Sequence, residues 1–114
     1  GEDDRIRNIV VLGVNTFGWS FMVRGMEVPE GPPALHLTSP SGDSWEYGNP
    51  DSNQVIRGMA HEFAQVVTQT RNIADTQLVC DGEVAQLWMK NAQCFAGAPA
   101  EPPAPGFRRT KSPV

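Results

Sequence analysis

Residues 58–97, GMAHEFAQVVTQTRN then IADTQLVCDG then EVAQLWMKNAQCFAG, decide the fold. In the first piece Phe63, Val66 and Val67 fall on one face. In the last, Val84, Leu87, Trp88, Asn91 and Phe95 do the same, and both sets follow the i, i+3, i+4, i+7 spacing of a helix buried on one side. Between them Leu78-Val79-Cys80 is too short for a helix, and Asp81-Gly82 signals a turn and a helix start. Two helices around a strand need a sheet to cover.

The chain before residue 58 supplies that sheet. Ala34-Leu35-His36-Leu37-Thr38 alternates apolar and polar, which predicts a half-buried strand with Leu35 and Leu37 inward. Ser39-Pro40-Ser41-Gly42-Asp43 has the chemistry of a hairpin loop. Ser44-Trp45-Glu46-Tyr47-Gly48 follows with two aromatics on one face, Asn49–Asn53 turns again, and Gln54-Val55-Ile56-Arg57 predicts a third strand. Further upstream, Ile6, Val10, Gly13, Phe17 and Phe21 form a stripe at helical spacing behind Glu2-Asp3-Asp4, acids placed where a helix N-terminus favours negative charge. This single long helix is expected to end near Arg24-Gly25. Gly13 and Gly18 weaken it by up to about 1 kcal/mol each, unless they let another element approach closely. The expected architecture is α+β, a small antiparallel sheet covered on one face by helices.

From Gly97 onward Pro99, Pro102, Pro103, Pro105 and Gly106 prevent regular structure, and Arg108-Arg109-Thr110-Lys111 is a short basic end. Residues 1–97 therefore read as one domain, and 98–114 as a Pro-rich basic tail, exposed or hugging the surface. At 114 residues with 39% hydrophobic content, the chain supports one modest core. No apolar run approaches the roughly 20 residues of a membrane span. The apolar stretch at Ile9–Val14 lacks a basic leader, so a secretory signal is not expected and a cytoplasmic location is. Residues 1–96 carry Arg5, Arg7, Arg24, Arg57, Arg71 and Lys90 against twelve acids, which is 6 − 12 = −6. Such a body repels phosphate and argues against a nucleic-acid partner.

Chemistry-bearing residues are sparse. No phosphate-binding glycine loop, zinc-protease motif or nucleophile elbow occurs. His36 and His61 are not spaced with Cys80 or Cys94 as metal ligands, so no metal, cofactor or catalytic residue is assigned. The two cysteines read as small apolar residues rather than a disulfide, and His61-Glu62 as a surface pair. Arg71 and Asp75 stand four apart at the end of the second helix. They form either a capping ion pair or an arginine at a pocket mouth that holds an anionic ligand head. Trp19, Trp45, Tyr47 and Trp88 are many large aromatics for so small a layer. They are either core or the lining of an apolar cavity between sheet and helices.

Several stretches carry a resemblance: Phe17-Gly18-Trp19, Ser41-Gly42-x-x-Trp45-x-x-Gly48, Val67-Thr68-Gln69, Ala74-Asp75-Thr76 and Ala92-x-x-Phe95-Ala96-Gly97. Over about residues 5–97 the sequence resembles the C-terminal half of an actinobacterial family of metal-binding proteins similar to mycothiol-dependent maleylpyruvate isomerases. This half is often labelled a wyosine-base-formation domain. The resemblance implies a sterol-carrier-protein-like fold and an N-terminal DinB-like bundle, outside this stretch, whose histidines hold the metal. Where that family tends to have Gln-Arg-Arg-His, this chain has Gln69-Thr70-Arg71-Asn72, keeping Arg71 alone of the basic positions.

Three functions follow as expectations. The first is a non-catalytic accessory domain that binds a small apolar ligand near Arg71, Trp88, Trp45, Tyr47 and Trp19. The second is a domain lending Arg71 to the active site of a metal-dependent thiol transferase or isomerase. The third is an oligomerisation module, a homodimer paired through its aromatic face and tail or by exchange of its first helix.

Overall fold

A computed structural model describes residues 1–107; the basic end at 108–111 lies outside the described residues. The element order is α1 (Glu2–Asn15), α2 (Phe17–Met22), β1 (Ala34–Thr38), β2 (Ser44–Tyr47), β3 (Val55–Met59), α3 (Ala60–Val67), a 3-10 turn (Ile73–Asp75), β4 (Val79–Asp81) and α4 (Glu83–Asn91). This is the expected α+β architecture.

The anticipated stripe is buried as a whole, for Ile6, Val10, Gly13, Phe17 and Phe21 all face the core. It is carried by two helices rather than one. At Thr16 the side-chain hydroxyl donates to the Leu12 carbonyl at 2.7 Å, a back-bond that competes with the regular ladder and bends a helix. Gly13 explains why α1 lies so close to α3: a Cβ there would stand 3.0 Å from Phe63 and 3.1 Å from Val67. The end of α2 is as expected, with Gly25 at φ +69° closing the last turn.

The sheet has the order β2-β1-β3-β4. Strand β1 pairs antiparallel with β2, and β3 antiparallel with β4, but β1 and β3 are parallel. The all-antiparallel expectation is thus corrected to a mixed sheet. The reason is geometric. The hairpin returns the chain to where β1 began, and Gly48 sits against Pro33 and Ala34, where a Cβ would be 3.1 Å from backbone. The loop then passes the start of β1, whose Ala34 N–H donates to the Gln54 carbonyl. A strand laid on the other flank from that end runs parallel to β1.

Leu35, Leu37, Trp45 and Ile56 point into the core beneath the helices. The opposite face, with Glu46, Arg57 and Val79 exposed and His36 half-buried, is open. Helix α3 buries Phe63, Val66 and Val67 as expected, but ends at Val67 rather than near Asn72. Gln69 adopts φ +60° there and turns the chain. Helix α4 stops at Asn91, so Cys94 and Phe95 lie beyond it; its buried stripe is Ala85, Trp88 and Met89. Its first turn is capped from outside, for Gln54 Oε1 accepts from the Val84 and Ala85 N–H groups at 2.9 and 3.1 Å.

Candidate functional site

The aromatic residues do not converge on one space. Trp88 is 0% exposed and meets Phe17 and Phe63 edge-on, at ring-centre distances of 4.9 and 5.5 Å. Such tilted contacts are those aromatic rings prefer in a filled core. Trp45 is buried under the Arg7 guanidinium, 4.7 Å from its ring centre, and Tyr47 packs against the core edge. Trp19 is half-buried and donates its indole N–H to the Phe95 carbonyl at 3.0 Å. The indole N–H groups of Trp45 and Trp88 are buried without a partner.

Arg71 does not pair with Asp75. Its Nη1 donates to Glu62 Oε2 at 3.1 Å and Gln65 Oε1 at 3.2 Å. Glu62 is 5% exposed, which corrects its assignment to the polar side of α3, and its other oxygen accepts the Gln77 N–H at 3.0 Å. A buried carboxylate requires such partners, because leaving it unpaired costs several kcal/mol. Arg71 is thereby committed to the fold, which leaves less support for its service in a neighbouring active site.

The region between Arg71 and Asp75 nevertheless borders a groove. Ile73, Leu78 and Cys80 line it together with Gln86 and Lys90 of α4 and Pro105 of the tail, and its volume is about 540 Å³. None of the aromatic candidates lines it. A more polar hollow of about 730 Å³ lies between the loops at 29–32 and 48–54. Among the described residues Lys90 joins no ion pair, whereas Arg5, Arg24, Arg57 and Arg71 each do. Burial pushes the Cys80 thiol up to about 11, and the neighbouring Asp81 carboxylate adds to the effect. Burial likewise raises Cys94, partly offset by a backbone hydrogen bond. Both cysteines are free. Among the described residues no group of three or more His, Cys, Asp or Glu side chains stands together as a metal site.

The tail lies on the body. Gln93, 0% exposed, donates to the Ala98 carbonyl and accepts the Ala100 N–H at 2.9 Å. Gln69, 7% exposed, donates to the Ala92 and Ala100 carbonyls at 2.9 Å each. Arg24 donates to the Ala100 carbonyl and to Glu101. Asn72 donates to the Pro103 carbonyl at 3.0 Å, and the Asp75 carboxylate accepts the Gly106 N–H. The sequence did not announce Gln69 and Gln93 as holders of the tail, nor Lys90 as a lining residue of the groove. A glutamine in a left-handed turn and another just past a helix leave no periodic signal.

Two proteins of Mycobacterium tuberculosis are similar to this chain: "Uncharacterized protein MT0041" of strain CDC 1551 / Oshkosh and "Uncharacterized protein Rv0036c" of strain ATCC 25618 / H37Rv. Each is 40% identical over 95 residues, covering 83% of this chain and 37% of the relative. The chain therefore spans little more than a third of the length of these relatives. No family model matches the chain, and no solved structure does.

Proposed function

We propose that this chain is a non-catalytic accessory domain of a longer metal-binding protein similar to mycothiol-dependent maleylpyruvate isomerase, and that it binds a small apolar ligand bearing an anionic end. The observation that carries the ligand reading is the groove of Ile73, Leu78, Cys80 and Pro105, lined also by Lys90, which joins no ion pair among the described residues. Apolar walls with one convergent charge are the usual form of a small-molecule site. The interior is less suited to a ligand, since Trp88 is in ring contact with Phe17 and Phe63. The accessory reading draws support from relatives that extend well beyond the matched region and come from an actinobacterium. On this reading the metal and its chemistry belong to the part of the longer protein outside this stretch.

Titration with decanoate, followed by amide NMR, tests the ligand site. Saturable shifts are expected at Ile73, Ala74, Leu78 and Cys80. Lys90→Met should weaken decanoate about tenfold, some 1.4 kcal/mol, while leaving decanol unchanged. Absence of saturable shifts, or equal loss for both probes, would sink it.

A further inference from the structure

The tail is held well beyond the one residue, Pro105, that it lends to the groove. Hydrogen bonds from the body reach it at Ala98, Ala100, Glu101, Pro103 and Gly106. Its end turns, since the Phe107 N–H donates to the Ala104 carbonyl at 3.0 Å and Gly106 has φ +82°. Ala100 is half-buried and Pro103 buried, while Pro99, Ala104 and Pro105 are exposed. Apart from the Arg24–Glu101 ion pair, the contacts address the strap's backbone rather than its side chains. The reading side chains are themselves fixed. Gln69 also donates to Ala92, Asn72 accepts from the Ala74 N–H, and Arg24 Nε donates to the Asn91 carbonyl.

We propose that the cradle of Arg24, Gln69, Asn72, Asp75 and Gln93 is a docking site for residues 98–106 of a second copy of this chain, so that two copies pair by exchanging straps. The occupant is argued from the fit already present. The cradle satisfies this segment in cis, and nothing in a backbone-directed contact distinguishes one copy's strap from another's. The connection is also built to swing, since Ala96 and Gly97 are exposed, Gly97 has φ +113° and no heavy atom lies within 4 Å of its would-be Cβ. Exchange replaces like contacts with like, which is why it is a low-cost route to a dimer. In dilute solution the tethered strap wins, because its effective concentration is of millimolar order. A shortened hinge removes that advantage.

The test is a variant lacking Ala96 and Gly97, examined by sedimentation equilibrium and native mass spectrometry. The expected product is a folded dimer, and Asn72→Ala with Asp75→Ala should weaken its association at least tenfold. A folded monomer, or a dimer indifferent to that double substitution, overturns the proposal. A second measurement uses the intact chain, labelled with ¹⁵N and titrated with a synthetic peptide of residues 97–107 into the millimolar range. Displacement of the labelled strap's own signals, at Ala98, Ala100, Glu101 and Gly106, is expected, while the cradle side chains keep like partners and their positions. An unchanged spectrum overturns exchange even where the deletion variant fails to fold. Asn72 and Pro105 also line the decanoate groove, so exchange is read from mass and from the strap's own signals rather than from decanoate affinity.

Discussion

Among the described residues Glu62 is the buried carboxyl side chain, and the hydrogen bonds from Arg71 and Gln77 hold it. Arg71→Ala should therefore destabilise the protein by about 2 kcal/mol, the scale of a lost charged hydrogen bond. Adding Glu62→Gln should recover part of that loss in urea melts; if the two effects simply add, the pairing is not what matters. Gly13 is a test of close packing. Alanine favours a helix by up to about 1 kcal/mol, yet its methyl would press on Phe63 and Val67, both fully buried. Overpacking of that kind costs about 1–3 kcal/mol, so Gly13→Ala should lower the unfolding midpoint rather than raise it. Cys80 supplies a pH dependence. The folded thiol keeps its proton to about pH 11, against an ordinary value of 9.0. Between these values the folded state binds more protons than the unfolded one, so stability falls as pH rises through that window. Labelling of Cys80 by a disulfide reagent should be slow near neutrality and accelerate only toward pH 11, because the thiolate is the nucleophile.

At the level of elements, Gln54 joins the sheet to α4 by capping the helix's first turn. Gln54→Ala should cost about 1 kcal/mol, seen as faster amide exchange at Val84 and Ala85 before the rest of the domain opens. The inward alternation of Leu35 and Leu37, the buried stripe from Ile6 to Phe21 and the buried face of α3 were all legible in the sequence, because each is a local period imposed by one packed side. Helix ends were less so. Thr16 and Gln69 stop their helices through hydrogen bonds and a left-handed backbone that no periodicity announces. The parallel pairing of β1 with β3 was hidden for another reason: it depends on where the hairpin delivers the chain, not on what the strands contain. The groove was half legible. Arg71 and Asp75 flagged its neighbourhood, but its walls are the intervening Ile73 and the later Leu78, Cys80 and Lys90, gathered from separate elements.

Across the whole molecule, charge and layering set what the surface can meet. The body carries a formal charge of −6 over residues 1–96, a balance that disfavours a phosphate backbone at ordinary salt. A gel-shift titration with transfer RNA at about 0.15 M salt should show no retardation, and a clear shift would overturn the electrostatic argument. Among the described residues no helix is long and apolar enough to cross a membrane. The helices shield one side of the sheet and leave Glu46, Arg57 and Val79 outward on the other. The strap's hydrogen bonding carries a last implication for what its sequence can tolerate. Prolines already occupy 99, 102, 103 and 105, but the amides at 100 and 106 are spoken for by Gln93 and Asp75. A proline scan along the strap should therefore be silent at Ala104 and loud at Ala100 and Gly106, since proline has no N–H to offer.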